Sequence, residues 1–348
     1  MPVKERQKGF FMEKYLFRQM PRGYAGGWYA PIDEPVLGGL YGTCFDVEVA
    51  KEDDTYRMWF SWRPTRLIGH TTSKDGIHWE MPSVVLASVP GSDWEGYEVN
   101  RPTLVKRNGL YHMWYTGQTV SSEFTKASSS IGYATSVDGL NWERRPEPVM
   151  RPEYPWEKYA LMCPFVLWDE ENSIYRMWYS GGEQYEPDAI GYATSKDGIH
   201  WDRLENPIFV SRADSYWQCK KVTAPFVLEV DGGYVMYYIG FDGSGHSAVG
   251  AVCSEDGISG WTEHPDNPLI AGKDGSWDHN GICKVSIIEE ESGGCKLWYN
   301  GCNRQREEIG ILLKDEHHTM WGVKGAPEVE KQREPIEYQG PVEKKMWL

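Results

Sequence analysis

The amino-acid sequence predicts an all-β fold, namely a five-bladed β-propeller with four antiparallel strands per blade. The prediction rests on a repeated phrase, on runs of alternating β-branched and aromatic residues in each repeat, and on the near absence of helical periodicity. The phrase occurs as "LIGHTTSKDGIHW", "SIGYATSVDGLNW", "IGYATSKDGIHW" and "AVGAVCSEDGISGW", with a decayed fifth copy, "IGILLKDEHHTMW". Its first glycines are separated by 63, 59, 59 and 60 residues: Gly69, Gly132, Gly191, Gly250 and Gly310. A fixed spacing of this size is typical of repeat architectures.

Each repeat contains the same order of predicted strands. An inner strand such as "MCPFVLW" precedes an aromatic second strand such as "YRMWYSG", and the repeated phrase and a short fourth run such as "NPIFV" follow. Residues of high β-propensity, interrupted by Gly, Pro, Asn and Asp, indicate strands and turns. Because Gly accepts positive φ, the Asp-Gly pair predicts a two-residue turn between the third and fourth strands. The repeated Asp residues are therefore interpreted as structural.

The repeats predict a single domain, residues 1–328, followed by a tail. The predicted blades cover approximately 41–84, 97–150, 159–210, 219–271 and 280–328. Within segment 1–40, "EPVLG" resembles the fourth-strand phrases and would close the ring by completing the last blade, but "APEV" after Trp321 would serve equally well. Residues 329–348 are charged and contain Pro, which indicates a surface tail.

Composition excludes several classes of function. A net charge of −15 disfavours nucleic acid and anionic membranes as partners, because both require a basic surface. No apolar run approaches the roughly 18 residues of a membrane span. The seven cysteines are scattered without a Cys-x-x-Cys pair, and the charged N-terminus has no signal-peptide pattern, so we expect reduced thiols and a cytoplasmic location. No cofactor is expected, and the oligomeric state is left open.

Polar residues that differ between repeats indicate the functional site. In a propeller, the starts of the inner strands and the ends of the second strands meet at one mouth of the channel, and the Asp-Gly turns lie at the other. A structural frame does not require variable polar residues at these positions. The candidates are Asp46, Trp62, Arg63, Glu98, Arg101, Gln118, Glu183, Lys221, Asp242, Asp278, His279 and Asn280. Such a set around a concave mouth favours a small carbohydrate as the ligand.

The five-blade layout and the x-Pro-x-x-Val pattern of the inner strands resemble the β-propeller glycoside hydrolases of families 32, 43 and 130, over about residues 30–325. In those enzymes an Asp precedes the Pro of the first inner strand and acts as nucleophile or base. Asp46 matches it, since Asp46 aligns with Arg101, Cys163 and Ala224, each of which precedes a Pro, although Val47 replaces the Pro in this strand.

The other family motifs match less well. The Arg-Asp-Pro stabiliser of family 32 corresponds to Asn100-Arg101-Pro102, and the Glu-Cys-Pro acid corresponds to Met162-Cys163-Pro164, so both carboxylates are replaced. The stretch "WDHNG" at 277–281 is similar to the part of family 43 that supplies a channel His beside a metal or water. No metal is predicted on this basis, and His279 is at most a weak candidate ligand.

The resemblance implies a glycoside hydrolase that cleaves a short oligosaccharide or glycoside. Such cleavage needs two carboxyl groups. Asp46 is predicted to be the nucleophile or base and either Glu98 or Glu183 the acid, while the other candidates bind substrate. The stereochemical outcome is open.

Several alternatives stay open. Arg101 would hold a substrate group or neutralise Asp46 or Glu98, and Trp62 would be a sugar platform or pack between blades. Two other functions for the whole chain stay open. One is a glycoside phosphorylase that binds phosphate through Arg101 and Lys221, and the other is a carbohydrate-binding propeller without catalysis.

Overall fold

The regular secondary structure consists almost entirely of β-strands, which confirms the predicted all-β class. The computed structural model describes residues 22–324 except 64, 121–126, 185–186 and 304, and also residues 328 and 331. The predicted tail at 329–348 lies, apart from residue 331, outside the described residues. Short 3-10 turns occur at Gly39–Tyr41 and Pro155–Glu157. In the part of the chain that is described, no helix has the length and apolarity that a membrane span requires.

The strands form consecutive antiparallel units that follow the sequence repeat. Unit 1 contains β2 (Thr43–Glu52), β3 (Thr55–Arg63), β4 (Leu67–Ser73) and β5 (Ser83–Leu86). Unit 2 contains β6 (Glu98–Arg107), β7 (Leu110–Gln118), β8 (Ser129–Ser136) and β9 (Glu143–Arg144). Unit 3 contains β10 (Ala160–Asp169), β11 (Ile174–Gly182), β12 (Ala189–Ser195), β13 (Asp202–Arg203) and β14 (Phe209–Val210). Unit 4 contains β15 (Lys221–Val230), β16 (Gly233–Phe241), β17 (Ser247–Ser254), β18 (Thr262–Glu263) and β19 (Ile270–Ala271). Unit 5 contains β20 (Gly281–Glu289), β21 (Cys295–Cys302) and β22 (Glu307–Lys314).

The N-terminal segment lies along units 4 and 5. Strand β1 (Gly23–Tyr24) pairs with β19. Further on, Tyr29 and Leu37 form antiparallel bridges to Leu313 and Ile309 of β22. The outer edge of β22 is therefore covered by chain from before unit 1.

A bulge interrupts the inner strand of every unit. The register between first and second strands shifts after Phe45, Asn100, Met162, Thr223 and Ile282. In units 1 to 4 the next residue has φ between 49° and 54°: Asp46, Arg101, Cys163 and Ala224. These are the four residues that the sequence alignment places at one level. In unit 5, Ser286 pairs with Trp298 as Glu48 pairs with Trp59, so Lys284 holds the equivalent position.

A polar side chain from the preceding unit holds each of the four positive-φ bulges. The backbone N–H donates to the side-chain oxygen of that residue, over 2.8 to 3.3 Å: Arg101 to Ser61, Cys163 to Thr116, Ala224 to Ser180, and Asp46 to Asn300. Unit 4 has Ile239 at this place, and Ile239 offers no acceptor. Lys284, which would receive that bond, does not have a positive φ.

The Asp-Gly turns are longer than the two-residue turns that the sequence predicts, so that prediction is wrong. In unit 2, β8 ends at Ser136 and β9 begins at Glu143. The Asp138 carboxylate accepts the N–H groups of Leu140 and Asn141, both at 2.8 Å, and thereby orders a longer loop. The repeated Asp residues are structural, as predicted.

A Trp in the second strand joins each such turn to the preceding unit. Its indole N–H donates to the Gly carbonyl over 2.8 to 2.9 Å: Trp59 to Gly139, Trp114 to Gly198, Trp178 to Gly257, and Trp298 to Gly76. The last bond links unit 5 to unit 1. In unit 4, Tyr237 replaces the Trp, and its hydroxyl lies 2.8 Å from Nε2 of His318. The glycine of the repeated phrase thus forms a hydrogen bond that links neighbouring units.

Candidate active site

Asp46 and Arg101 face each other from the bulges of units 1 and 2. Nε of Arg101 lies 3.5 Å from Oδ2 of Asp46, and both side chains are buried. Ser61 connects them, because its hydroxyl accepts the Arg101 N–H at 2.9 Å and donates to Asp46 at 3.4 Å. The bulges that give both residues a positive φ therefore also bring a carboxylate and a guanidinium group into contact.

A second ion pair joins the same two units. Nη2 of Arg63, at the end of β3, lies 3.2 Å from Oε1 of Glu98, at the start of β6. Glu98 is buried, whereas Arg63 is half-exposed and its guanidinium stacks 4.3 Å from the centre of the Phe45 ring. These two candidates are thus placed at the predicted edge, beside the Asp46 pair.

Glu307 is a site residue that sequence reasoning missed. Burial, together with the negative charges of Asp46 and Glu98 and against the opposing effect of Arg63 and Arg101, raises the pKa of Glu307 to about 7. Its Oε2 atom is buried and has no hydrogen-bond partner within the described residues. A carboxyl group with these neighbours holds a proton near neutral pH and can donate it.

A signal for Glu307 was present in the sequence. It stands three residues before the aligned Gly310, at the start of the third strand of its unit. Since the third strand begins where the second strand ends, its first residue lies at the same end of the unit, opposite Cys302. The sequence-based candidates lie near the starts of the inner strands and the ends of the second strands, and they do not extend to Glu307.

Arg101 is surrounded by acidic groups. Burial alone would lower the pKa of its guanidinium, but Asp46, Glu98 and Glu307 raise it, so the side chain stays charged. Its Nη1 atom is buried without a hydrogen-bond partner among the described residues. A buried cation with an unused donor is suited to hold an anionic or hydroxyl oxygen of a ligand.

Glu183 has different partners. Its carboxylate lies 2.9 Å from Nζ of Lys221 and 3.5 Å from Nζ of Lys158, and both lysines lower its pKa. Lys221 also lies 3.4 Å from Asp188. An exposed carboxylate that two cations keep ionised is poorly suited to donate a proton.

Two candidates are engaged in packing. The Trp62 indole donates to the Tyr41 carbonyl at 2.8 Å, and its ring packs against Tyr41 and Phe60. Gln118 is buried, accepts from Asn100 at 2.6 Å and donates to Ser129 at 3.2 Å. Both residues support the strands that carry the ionic groups.

The candidates of unit 4 and the start of unit 5 make mainly local hydrogen bonds. Asp242 accepts from Ser244 and His246, which lower its pKa against the effect of burial. Buried Asp278 accepts from the Tyr299 hydroxyl at 3.0 Å. His279 donates through Nδ1 to the Ser276 carbonyl at 2.8 Å, and Asn280 donates its backbone N–H to Cys302.

Asn280 keeps one unused group. Its Oδ1 atom is buried and has no hydrogen-bond partner within the described residues. Asn280 therefore offers a hydrogen-bond acceptor to a ligand. The carboxylates of Asp242 and Asp278 and the Nδ1 atom of His279 already form hydrogen bonds within the protein.

A buried ion pair links three inner strands. Nζ of Lys284 lies 3.7 Å from Glu48 and donates to the Pro102 carbonyl at 2.8 Å. The Thr103 hydroxyl donates to Glu48 at 3.3 Å. Burial raises the pKa of Glu48, and Lys284 opposes this effect. The pair connects units 1, 2 and 5 next to the Asp46 bulge.

Comparison with known proteins identifies the family. Residues 48–225 match the glycosyl hydrolases family 32 N-terminal domain. The chain is 26% identical over 243 residues to a 1,2-β-oligomannan phosphorylase of Thermoanaerobacter sp. (strain X514), which covers 66% of this chain and 74% of that protein. It is 28% identical over 212 residues to an extracellular exo-inulinase of Aspergillus niger, covering 51% of this chain and 38% of that protein.

Solved structures agree in fold. A glycoside hydrolase superposes with a TM-score of 0.66 at 18% identity over 89% of this chain and 95% of the other. A thermostable family-43 glycoside hydrolase superposes with a TM-score of 0.62 at 15% identity over 90% of this chain and 100% of the other. These superpositions extend the likeness in fold beyond residues 48–225. The match to the family model confirms the resemblance that the inner-strand motifs indicated. The chain belongs to the propeller glycoside hydrolases, in the family of the glycosyl hydrolase 32 N-terminal domain.

Proposed function

We propose that the protein is a glycoside hydrolase that acts on a short oligosaccharide or glycoside at the mouth formed by Asp46, Glu98 and Glu307. The observation that carries the proposal is a group of charged side chains in which Asp46 is ion-paired to Arg101, Glu98 is ion-paired to Arg63, and the buried Oε2 of Glu307 has no hydrogen-bond partner within the described residues. Burial and the two acidic neighbours raise the pKa of Glu307, which suits it to donate a proton. Glycoside cleavage requires one carboxyl group that donates a proton and a second that is ionised.

The roles follow from the charges. Glu307 donates its proton to the glycosidic oxygen as the bond to the anomeric carbon breaks. Asp46 either attacks that carbon or takes a proton from the attacking water. Arg101 keeps Asp46 oriented and offers its buried Nη1 to a substrate oxygen.

This assignment gives other roles to the two acids that the sequence suggested. Glu98 is paired with Arg63 and helps to raise the pKa of Glu307, so we assign it a positioning role. Glu183, with Lys221, would contact substrate further from the reacting bond. Asn280 would bind a sugar hydroxyl through its buried Oδ1.

We also propose that the five units are the blades of a closed propeller. The Trp298–Gly76 and Asn300–Asp46 hydrogen bonds between units 5 and 1 support closure. The bridges of Tyr29 and Leu37 to β22 support a closing role for the N-terminal segment.

A glycoside phosphorylase is the second candidate function. Arg63 and Arg101 lie at the same mouth and would bind phosphate, which replaces the protein nucleophile. The likeness to the 1,2-β-oligomannan phosphorylase supports this alternative. In that case Glu307 would still be the proton donor, and Asp46 would orient Arg101.

One experiment separates these functions. Wild type and Asp46→Asn are incubated with a panel of aryl glycosides and short β-mannosides, fructosides and arabinosides, with and without phosphate, and products are identified. Hydrolysis without phosphate that is lost in Asp46→Asn, while circular dichroism shows that the variant is folded, supports the hydrolase. Sugar phosphate formed only with phosphate supports the phosphorylase. Sugar binding without cleavage, or full activity of Asp46→Asn, overturns the hydrolase proposal.

A further inference from the structure

The turn after β22 departs from the pattern of the other units. Units 1 to 4 have Ser-x-Asp-Gly at this place, whereas unit 5 has Lys314-Asp315-Glu316-His317-His318. His318 takes the place of the Gly carbonyl that receives the Trp indole elsewhere, and it faces Tyr237 instead. The loss of the repeat brings a metal-binding type of side chain into the interface between units 4 and 5.

His318 lies against two other potential ligands. Its Nδ1 is 2.9 Å from Oε1 of Glu289, at the end of β20, and 3.5 Å from Sγ of Cys295, at the start of β21. Sγ of Cys295 is 3.8 Å from the same Glu289 oxygen. Cys295 and His318 are buried, and Glu289 is half-buried. One sulfur, one nitrogen and one oxygen ligand atom therefore form a compact triangle.

The triangle has the dimensions of a zinc site. Bonds of about 2.3 Å to sulfur and about 2.0 Å to nitrogen and oxygen, at tetrahedral angles, place sulfur about 3.6 Å from its neighbours and nitrogen about 3.3 Å from oxygen. The observed edges of 3.5, 3.8 and 2.9 Å are each within about 0.4 Å of these values. Few side-chain movements are needed to accept the ion.

A second set of contacts fixes the imidazole. The Tyr237 hydroxyl lies 2.8 Å from Nε2 of His318 and also receives the indole N–H of Trp28 at 3.3 Å. The backbone N–H of His318 donates to Glu289 at 2.8 Å. When Nε2–H donates to Tyr237, the lone pair of Nδ1 points toward Glu289 and Cys295. Such a partner on the second ring nitrogen is typical of histidines that bind metals.

Two of the three side chains, Glu289 and His318, border a cavity. His318 lines two cavities of about 770 and 890 Å³, and His317 lines both of them. Neither cavity is lined by Asp46, Arg101 or Glu307. A water molecule is therefore available as the fourth ligand.

We propose that Glu289, Cys295 and His318 bind a Zn²⁺ ion that fastens the last unit of the ring. The Cys295 thiol releases its proton to solvent as the Zn–S bond forms, so binding is weaker at low pH. The ion connects β20, β21 and the segment after β22, and through Tyr237 it connects unit 5 to unit 4. The site shares no residue with the candidate active site, so either proposal stands if the other fails.

Zinc analysis of the purified protein tests this site. Protein is incubated with zinc, dialysed and analysed by inductively coupled plasma mass spectrometry, and cobalt replaces zinc in a parallel sample. We expect about one zinc per chain and a thiolate-to-cobalt charge-transfer band, with at least tenfold weaker binding in Cys295→Ser and His318→Gln. The control is Cys253→Ser, because the two thiols are alike: both are buried and both donate to a backbone carbonyl. Cys295 donates to Glu316 over 3.3 Å, and Cys253 donates to Trp321 over 2.9 Å.

Two results would overturn the proposal. One is less than a tenth of an equivalent of zinc on folded wild-type protein. The other is equal zinc binding in wild type and Cys295→Ser. If Cys295→Ser fails to fold by circular dichroism, Glu289→Gln takes its place, since it keeps the shape of the side chain and removes the anionic ligand.

Discussion

At the residue scale, charged side chains from three units form one interacting group around Arg101 and Glu307. Glu307 comes from unit 5, Arg101 and Glu98 from unit 2, and Asp46 from unit 1. The cation faces three carboxyl groups, and one of these, Glu307, keeps its proton near neutral pH because of burial and of its acidic neighbours. An unequal distribution of protons among neighbouring carboxyl groups is what acid and base roles require.

Protonation of the Glu307 carboxyl group should make the free energy of unfolding depend on pH. The folded state holds a proton on Glu307 that the unfolded chain releases from about pH 4.5, so the wild-type free energy of unfolding falls as pH rises from about 4.5 to about 7. Glu307→Gln removes this dependence. Between pH 5 and pH 8, the stability of the variant relative to wild type should therefore rise by about 1–3 kcal/mol, since one pKa unit is worth about 1.4 kcal/mol.

Urea denaturation at both pH values measures the effect. Glu143→Gln is the control, because Glu143 is an exposed carboxylate on β9. A constant difference between Glu307→Gln and wild type would contradict the raised pKa.

At the scale of single residues, the repeat alignment was informative where the repeat is intact. It placed Asp46 level with Arg101, and the two do meet. It indicated the position of Glu307 at the start of a third strand but not its raised pKa, which depends on burial and on charges from other units. Lys284 was missed for a similar reason, since its partner Glu48 lies on a distant part of the chain.

The bulge of the inner strand is the element that builds the site. Each positive-φ residue is held by a hydroxyl or amide of the preceding unit, and in one case that hydroxyl also contacts a candidate catalytic carboxylate. The Ser61 hydroxyl bonds both Arg101 and Asp46, whereas within the described residues the Ser180 hydroxyl bonds the backbone of Ala224 alone. This difference makes a matched pair of variants.

Ser61→Ala and Ser180→Ala should each cost about 1–2 kcal/mol of stability, because each leaves a buried N–H unpaired. Only Ser61→Ala should also lower kcat/KM, since only Ser61 positions Asp46. Urea denaturation and steady-state kinetics measure the two effects. An equal loss of activity in both variants would refute the positioning role of Ser61.

The length of the Asp-Gly turn was not predictable from the dipeptide. The pair suggested a two-residue turn, but the Asp carboxylate accepts two N–H groups beyond it and supports a longer loop. The Gly carbonyl is then free to receive the Trp indole of the preceding unit. The conformation of this loop therefore depends on a hydrogen bond between neighbouring units, which a dipeptide does not reveal.

At the scale of the whole molecule, the same inter-unit contacts recur around the chain and also link unit 5 to unit 1. The sequence predicted the all-β repeat from its spacing, because strand patterning is local. It left open which segment lies beside β22, because that contact joins distant parts of the chain. Leu37, buried there, bridges to Ile309.

Leu37→Ala tests the contribution of this segment to the fold. Removing a buried leucine side chain should cost about 2–4 kcal/mol. Leu40→Ala, three residues later and fully exposed, should change stability by less than about 0.5 kcal/mol. The melting temperatures and urea midpoints of both variants provide the measurement. Equal stability of the two would show that the segment does not support unit 5.

The central claim is that Glu307 donates the proton for glycoside cleavage, and the pH dependence of kcat/KM on a cleaved glycoside tests it most directly. Wild type should lose activity as pH rises above about 7, where Glu307 ionises. Glu307→Gln should be about 10²- to 10⁴-fold less active and should lack that decline. A Glu307→Gln variant with wild-type activity, or with the same decline above pH 7, would contradict the account.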